Sequence, residues 1–257
     1  MNIAIFGCGF VGGTVANFLE ETYEGNDTKI VRVDPLLHPE QDPQEAATNA
    51  DGIIICVPTP SQYFGACDDS IIHKVLKLCD ESTPILLKST VTPDLIETYP
   101  TNVTYNPEFL REANAKEDFE NQHTFILGYH ESNKSGADWW ANIFNMPEWD
   151  VVYTNRRTAS MIKYVHNSWL ATKIAFFHEL YDELPPGIDY DTITSALGRF
   201  PSIGKTHMKV PNNEGKLGYS GSCFPKDVKA LTKILNHSIL IRVKKTNDKL
   251  NKSNKGD

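Results

Sequence analysis

Gly7-Cys8-Gly9-Phe10-Val11-Gly12 is the stretch that most restricts what this chain can fold into. An apolar run, Asn2-Ile3-Ala4-Ile5-Phe6, precedes it and reads as a buried parallel strand. Val11 to Glu21 follows with helical character, Val11, Val15, Phe18 and Leu19 lying on one face. Between a strand and a helix, G-x-G-x-x-G has a physical meaning. Gly7 permits the tight turn, Gly9 lets a pyrophosphate approach the backbone, and Gly12 lets helix and strand pack closely. The helix N-terminus, opened by Phe10 and Val11, presents unpaired N–H groups to the phosphates. A second apolar run, Lys29-Ile30-Val31-Arg32-Val33, ends at Asp34, 22 positions after Gly12. A carboxylate there accepts both hydroxyls of an adenosine ribose and repels a 2′-phosphate, which favours NAD over NADP.

Strand-like and helix-like runs then alternate. Gly52 to Val57 is unbroken and apolar, as in a strand covered on both faces, and stops at Pro58-Thr59-Pro60. Ser70 to Cys79 reads as an amphipathic helix. Further strands are expected at Pro84–Leu87, ending in Lys88-Ser89-Thr90, and at Val103–Tyr105, leading into Asn106-Pro107. Phe125–Leu127 and Val151–Tyr153 complete the set. The pattern predicts an α/β fold: a Rossmann-like doubly wound parallel sheet followed by a mostly helical domain. Thr158 to Leu184 reads as one long helix, stopped by Pro185-Pro186-Gly187. Asp191–Leu197 is a shorter helix, 198–221 is rich in loops, and Asp227–Asn236 is helical. Arg242–Asp257, rich in Lys and Asn, is expected to fray. The expected divisions are 1–155 for the NAD-binding domain, 156–250 for the helical domain, and 251–257 for a flexible tail.

Cys223 lies in Gly218-Tyr219-Ser220-Gly221-Ser222-Cys223-Phe224-Pro225-Lys226-Asp227. This run reads as a glycine-rich turn delivering a thiol to the first turn of a helix, where the dipole favours thiolate. Pro225 suits a first helical turn, and Asp227 shares a face with Cys223 at i+4. The arrangement suits covalent catalysis, although a buried, inert cysteine at a helix start has the same signature. Lys163 and Asn167, also at i, i+4, form either an oxyanion-stabilising pair or an ordinary solvated helix face.

A net charge of −8 argues against general nucleic-acid binding. Five cysteines without framework spacing point to a reducing compartment, hence the cytoplasm. Without a C-x-x-C pair or ligand-spaced histidines, no metal site is expected. No apolar run approaches a membrane span, and with a strand at the very N-terminus no signal peptide is expected.

Six stretches, in order, resemble the UDP-glucose/GDP-mannose 6-dehydrogenase family. They are Ile5–Gly12, Ile55-Cys56-Val57-Pro58-Thr59-Pro60, Lys88-Ser89-Thr90-Val91, Asn106–Glu112, Ile162–Asn167 and Gly221–Asp227. The resemblance implies oxidation of a sugar-nucleotide primary alcohol to a carboxylate in two NAD-dependent steps through a cysteine thioester. It places the nucleophile on Cys223, the water-holding aspartate on Asp227, and the catalytic lysine and asparagine on Lys163 and Asn167. Thr90 and Glu112 match residues lining the nicotinamide, Glu108 a glutamate assisting thioester hydrolysis, Lys226 a residue near the cofactor, and Thr59 one at its ribose. Glu108 and Glu112 also read as a solvated i, i+4 pair beside Arg111. The resemblance makes the helical part a central, dimerisation domain, and the family's long helix implies a homodimer through residues 158–184.

The chain departs from the family pattern in places. It is expected to lack the C-terminal UDP-binding domain. Ser220 replaces a glycine, Ser202 the substrate-binding arginine, Ser160 a glutamate, and His178 an asparagine. The alternatives are therefore oxidation of a smaller sugar alcohol, or a non-catalytic NAD-binding or regulatory homologue that pairs with another chain.

Overall fold

The computed structural model describes residues 1–60, 67–111, 114–144, 149–212, 214–221, 223–236 and 238–254. These divide into two compact units, one running to Lys163 and the other beginning at Tyr164.

In the first unit, β1 (Asn2–Phe6) leads through the glycine turn into α1 (Phe10–Thr22). β2 (Lys29–Val33), α2 (Pro43–Thr48), β3 (Gly52–Ile55), α3 (Ser70–Leu76) and β4 (Ile85–Leu87) continue the alternation. β5 (Val103–Tyr105), α4 (Ala115–Glu120), β6 (Thr124–Tyr129), α5 (Lys134–Ile143) and β7 (Asp150–Asn155) complete it. The strands line up in the order β2-β1-β3-β4-β5-β6-β7. Pairing is parallel from β2 to β5, and the single β5–β6 bridge, Tyr105↔Gly128, is antiparallel. The sheet is therefore mostly, not wholly, parallel. Antiparallel neighbours join at the same end of a sheet, so the chain after Tyr105 stays at the carboxyl edge of β5. That places Asn106 and Glu108 where β1, β3 and β4 also end.

Both faces of the sheet are covered, which is why its strands are continuously apolar. Ala4, Phe6, Ile53, Ile55 and Leu87 pack on one side, and Ile3, Ile5, Ile54 and Leu86 on the other. Burying each large aliphatic side chain contributes about 1.5–3 kcal/mol. On the second face, Phe18, Phe119, Phe125, Phe144 and Trp149 form a connected aromatic group, with ring centroids 5.0 to 6.4 Å apart.

α6 runs from Arg156 to Glu183, directly after β7. The Asn155 Oδ1 accepts the Thr158 N–H at 2.8 Å and caps its first turn. Its last turn gives way to Pro185-Pro186-Gly187, where Gly187 takes φ +88°. In the second unit, α7 (Tyr190–Leu197), α8 (Phe224–Leu235) and α9 (Ser238–Ser253) follow. Ala171, Ile174, Ala175, Tyr219, Val228 and Val243 form its core. The stretch from Arg242 to Ser253, expected to fray, is helical. Leu250 is buried, and Asn247 and Asn254 bond the backbone of residues 217–219. These contacts outweigh the poor local propensity of an Asn-rich end.

Candidate active site

The phosphate loop is built by exclusion of side chains. Gly7 has φ +85°, a left-handed value that strains any other residue. A Cβ on Gly12 would lie 1.9 Å from the Gly7 carbonyl oxygen, so α1 meets the turn at backbone distance. A Cβ on Gly9 would meet nothing within 4 Å, so the surface there is open to an incoming group. Phe10 and Val11 form the first turn of α1, where N–H groups have no helical partners.

Asp34 stands at the end of β2. Its Oδ2 accepts the Cys8 N–H at 2.9 Å, and its Oδ1 accepts the Leu36 and Leu37 N–H groups at 2.9 and 3.2 Å. Partial burial pushes its pKa up, but these three donors outweigh that and hold it below the usual value. An ionised carboxylate has about four acceptor sites, so capacity remains for a ribose hydroxyl. The open cradle at Gly9 and the anchored carboxylate at Asp34 fit a dinucleotide carrying a free ribose diol.

Two of the candidates beyond the loop lie together. The Thr59 Oγ1 donates to the Thr90 carbonyl at 2.8 Å, joining the ends of β3 and β4. Glu112 lies outside the described residues.

Glu108 and Lys163 form a buried ion pair, Nζ to Oε1 2.9 Å, with side chains only 9% and 4% exposed. The Lys163 Nζ also donates to the Glu108 carbonyl, and the Leu110 N–H donates to Glu108 Oε2 at 2.9 Å. Burial pushes the Glu108 carboxyl up. Lys163, the Leu110 N–H and Lys88 outweigh it, so the pKa is lowered and Glu108 is a carboxylate at neutral pH. The solvated Glu108–Glu112 reading therefore fails for Glu108.

Sequence reasoning assigned no role to Lys88. It is buried at the end of β4, donates to the Asn106 Oδ1, and lies 5.8 Å from the Phe119 ring centroid. Asn106 in turn donates to the Ile126 carbonyl at 2.8 Å. Burial lowers the Lys88 pKa to about 8; Cys56 and Glu108 oppose this and Lys163 adds to it. Cys56 is itself pushed up to about 12, chiefly by burial. An apolar run ending in Lys-Ser-Thr was the only signal, and it does not separate a buried lysine from a solvated one.

In the second unit, Cys223 is the N-cap of α8 and Pro225 sits in its first turn. The Cys223 carbonyl accepts the Asp227 N–H at 2.9 Å. Asp227 is 1% exposed. Its two oxygens are held separately: Oδ2 accepts from the Asn167 Nδ2 and Oδ1 from the Lys226 Nζ, both at 2.7 Å. Lys226, read from the resemblance as a cofactor neighbour, is here the partner of Asp227. The Asn167 Oδ1 lies 3.1 Å from the His166 Nδ1. One of the two amide hydrogens of Asn167 remains for another acceptor. Lys163 and Asn167 stand one turn apart on α6. Among the described residues no group of three or more His, Cys, Asp or Glu side chains is arranged to hold a metal ion.

Comparison with known proteins accounts for both units. Residues 28–146 match the NAD binding domain, and residues 157–253 the central domain, of the UDP-glucose/GDP-mannose dehydrogenase family. The chain is 31% identical to the UDP-glucose 6-dehydrogenase of Rickettsia prowazekii, over 98% of this chain and 67% of that one. The chain belongs to the UDP-glucose/GDP-mannose dehydrogenase family. The Rickettsia bellii UDP-glucose 6-dehydrogenase is 30% identical over 93% of this chain and 64% of its own length. Among solved structures, the UDP-glucose dehydrogenase of Pyrobaculum islandicum superposes with a TM-score of 0.80 at 22% identity, over 96% of this chain and 68% of that one. That similarity extends the fold assignment to both units. The chain spans about two thirds of the length of these dehydrogenases. NAD is the cofactor of the family's N-terminal domain, and Gly7, Gly9, Gly12 and Asp34 lie at the turn and strand end that suit it.

Proposed function

We propose that the protein oxidises the primary alcohol of a sugar nucleotide, of the UDP-glucose kind, to a carboxylate through a thioester on Cys223. The observation that carries this reading is the first turn of α8. A thiol-bearing N-cap stands one turn before a buried carboxylate that is gripped by an amide and an ammonium.

NAD, when bound, supplies the hydride acceptor for both oxidations, two equivalents for each carboxylate formed. In the first oxidation the alcohol loses a hydride from carbon and a proton from oxygen. Lys163 and Asn167 stabilise the developing alkoxide, and a water held by Asp227 takes the proton. Thr90 lines the nicotinamide side, and Thr59 stands at the cofactor ribose. The Cys223 Sγ adds to the aldehyde carbon, and the former carbonyl oxygen is protonated, giving a thiohemiacetal. Loss of a second hydride and of that proton leaves a thioester. Water, activated by Glu108 or Asp227, breaks the C–S bond, and carboxylate and thiol separate. Sulfur suits both ends of this sequence, being nucleophilic near neutral pH and a good leaving group.

We also read the protein as a cytoplasmic homodimer. Trp169 and Phe176, two turns apart on α6, are 62% and 61% exposed, a large apolar area for a surface helix. No helix of the described residues is long and apolar enough to cross a membrane.

The deciding experiment measures NADH formed by the purified protein against UDP-, GDP- and free sugars. Two NADH per carboxylate are expected from a sugar nucleotide in the parent. Cys223→Ser is expected to complete the first oxidation and stall, because a serine hydroxyl without a base is a weak nucleophile. Full four-electron turnover in Cys223→Ser would refute the thioester. NAD binding without turnover on any sugar would favour a non-catalytic role.

A further inference from the structure

Leu217, Gly218 and Tyr219, just before the Cys223 turn, have an unusual set of partners: all six of their main-chain polar groups bond to side chains. The Leu217 N–H donates to the Asn254 Oδ1 and its carbonyl accepts from the Asn254 Nδ2, both at 2.8 Å. The Tyr219 N–H donates to the Asn247 Oδ1 at 2.6 Å and its carbonyl accepts from the Asn247 Nδ2 at 3.2 Å. The Gly218 carbonyl accepts from the Asn212 Nδ2 at 3.1 Å. The sixth group, the Gly218 N–H, donates to the His178 Nδ1 at 2.8 Å. Gly218 has φ +81°, and a Cβ there would lie 2.5 Å from the Asn247 Oδ1, so the segment fits its amide clamp only as glycine.

His178 differs from the other three clamps because it titrates. It is buried in α6, and its Nε2 lies 3.0 Å from the Lys209 carbonyl. That carbonyl requires a donor and the Gly218 N–H requires an acceptor. Both are satisfied by one form only, the neutral ring with its proton on Nε2. A protonated ring carries N–H on both nitrogens and turns a donor toward the donor of Gly218. From Tyr219 the strain has a route onward. Its ring is buried and packs edge-on to Phe224, centroids 6.5 Å apart, and Phe224 is the first residue of α8, next to Cys223.

We propose that His178 is a positioning residue for the Cys223 turn: its neutral ring holds residues 217–219 in place, and protonation releases them. Burial, opposed by the bond to Lys209, holds the ring pKa below its usual 6.5. The polar groups brought against this loop by α9, Asn247, Asn251 and Asn254, are amides that do not titrate. The ionisable side chains of Glu179 on α6, Lys209, Glu214 and Lys216 on the loop, and Asp248 and Lys252 on α9 are exposed. The sign follows. A base with a depressed folded-state pKa contributes fully to the clamp above about pH 6.5, and that contribution is lost progressively as pH falls from there to the folded value.

The test is hydrogen exchange of the full chain from pH 7.5 to 5, corrected for intrinsic rates, with the β1 amides as internal reference. In the parent, opening of 217–219 is expected to rise about tenfold per pH unit as pH falls from about 6.5 to the folded value, and to level off below it, while β1 stays protected. His178→Asn keeps an acceptor and a donor but cannot titrate, so its acid limb should vanish. His178→Ala should be open at every pH. Three results overturn the proposal: flat protection of 217–219 in the parent, an unchanged acid limb in His178→Asn, or loss of β1 protection in step with the loop. The proposed role of Cys223 enters only in the consequence for turnover. The exchange readout needs neither NAD nor sugar, so failure of this inference and failure of the catalytic reading are separable.

Discussion

Lys88→Met isolates the cost of a buried ammonium at the edge of the sheet. Lys88 is 4% exposed, and the carboxylate that acts on it, Glu108, is shared with Lys163. Its pKa falls from 10.5 to about 8. Between those values the unfolded chain holds a proton on Lys88 and the folded chain does not. Parent stability attributable to this residue therefore rises with pH across the window and is fully present above 10.5. Each pH unit is worth about 1.4 kcal/mol, so the full span amounts to about 3 kcal/mol. Methionine cannot titrate and has similar bulk. It leaves the Asn106 Oδ1 without its Lys88 donor, a loss of about 1–3 kcal/mol, but that loss does not vary with pH. The assay is urea unfolding of both proteins at pH 7, 8, 9 and 10, followed by tryptophan fluorescence. Trp139, Trp140 and Trp149 all lie in the first unit and report on the part that contains Lys88. The difference, parent minus variant, should be flat from pH 7 to 8 and climb above it. A difference that stays constant to pH 10 would show that Lys88 keeps its ordinary pKa and that its burial carries no charge penalty.

Asp34→Ser should narrow the preference for NAD over NADP in binding titrations, since it removes the charge that would face a 2′-phosphate; equal affinity for both cofactors in the parent would sink this reading. Gly12→Ala should abolish NAD binding and cost at least about 1–3 kcal/mol in thermal or urea unfolding, because its Cβ would overlap the Gly7 carbonyl. Cys223 should alkylate faster at pH 7 than Cys8, Cys56 and Cys79, whose thiol pKa values burial raises; peptide mapping that finds Cys223 slower than these three would argue against a nucleophile. Light scattering at micromolar concentration should give a dimer, and Trp169→Asp should shift it toward monomer; a monomeric parent refutes the α6 interface.

Strand positions were legible because a sheet covered on both faces leaves a plain record. β1, β2 and β5 begin and end at the residues where the apolar runs do. α6 starts two residues before the expected Thr158, because Asn155 caps it from the end of β7. The helices α2, α4 and α5 were missed. α2 has a readable start in Asp42-Pro43, where the Asp42 Oδ1 accepts the Glu45 N–H at 2.8 Å, but six residues are too few to show a helical period. The reversal of β6 was hidden, since direction is fixed by where the connection runs and not by the strand itself. Within the candidate site, the phosphate loop and Asp34 could be read from spacing alone. The Glu108–Lys163 and Asn167–Asp227 pairs could not, because their members are far apart in sequence. The asparagines near the C-terminus misled most. As composition they suggest a loose end, and as individual side chains they are pegs for the main chain of residues 217–219.

The first turns of α6 bear on any attempt to take the protein apart. The break between strand and helix at Asn155 looks like a natural place to divide it. Arg156 donates to the Tyr99 and Pro100 carbonyls, Ser160 donates to the Val91 carbonyl, and Lys163 neutralises Glu108. A fragment ending at Asn155 would lose all three and keep a buried carboxylate without its main counter-ion. The sheet can be excised with its chemistry intact only by cutting beyond Lys163, so the seam lies within a helix and not at the loop-free joint that precedes it.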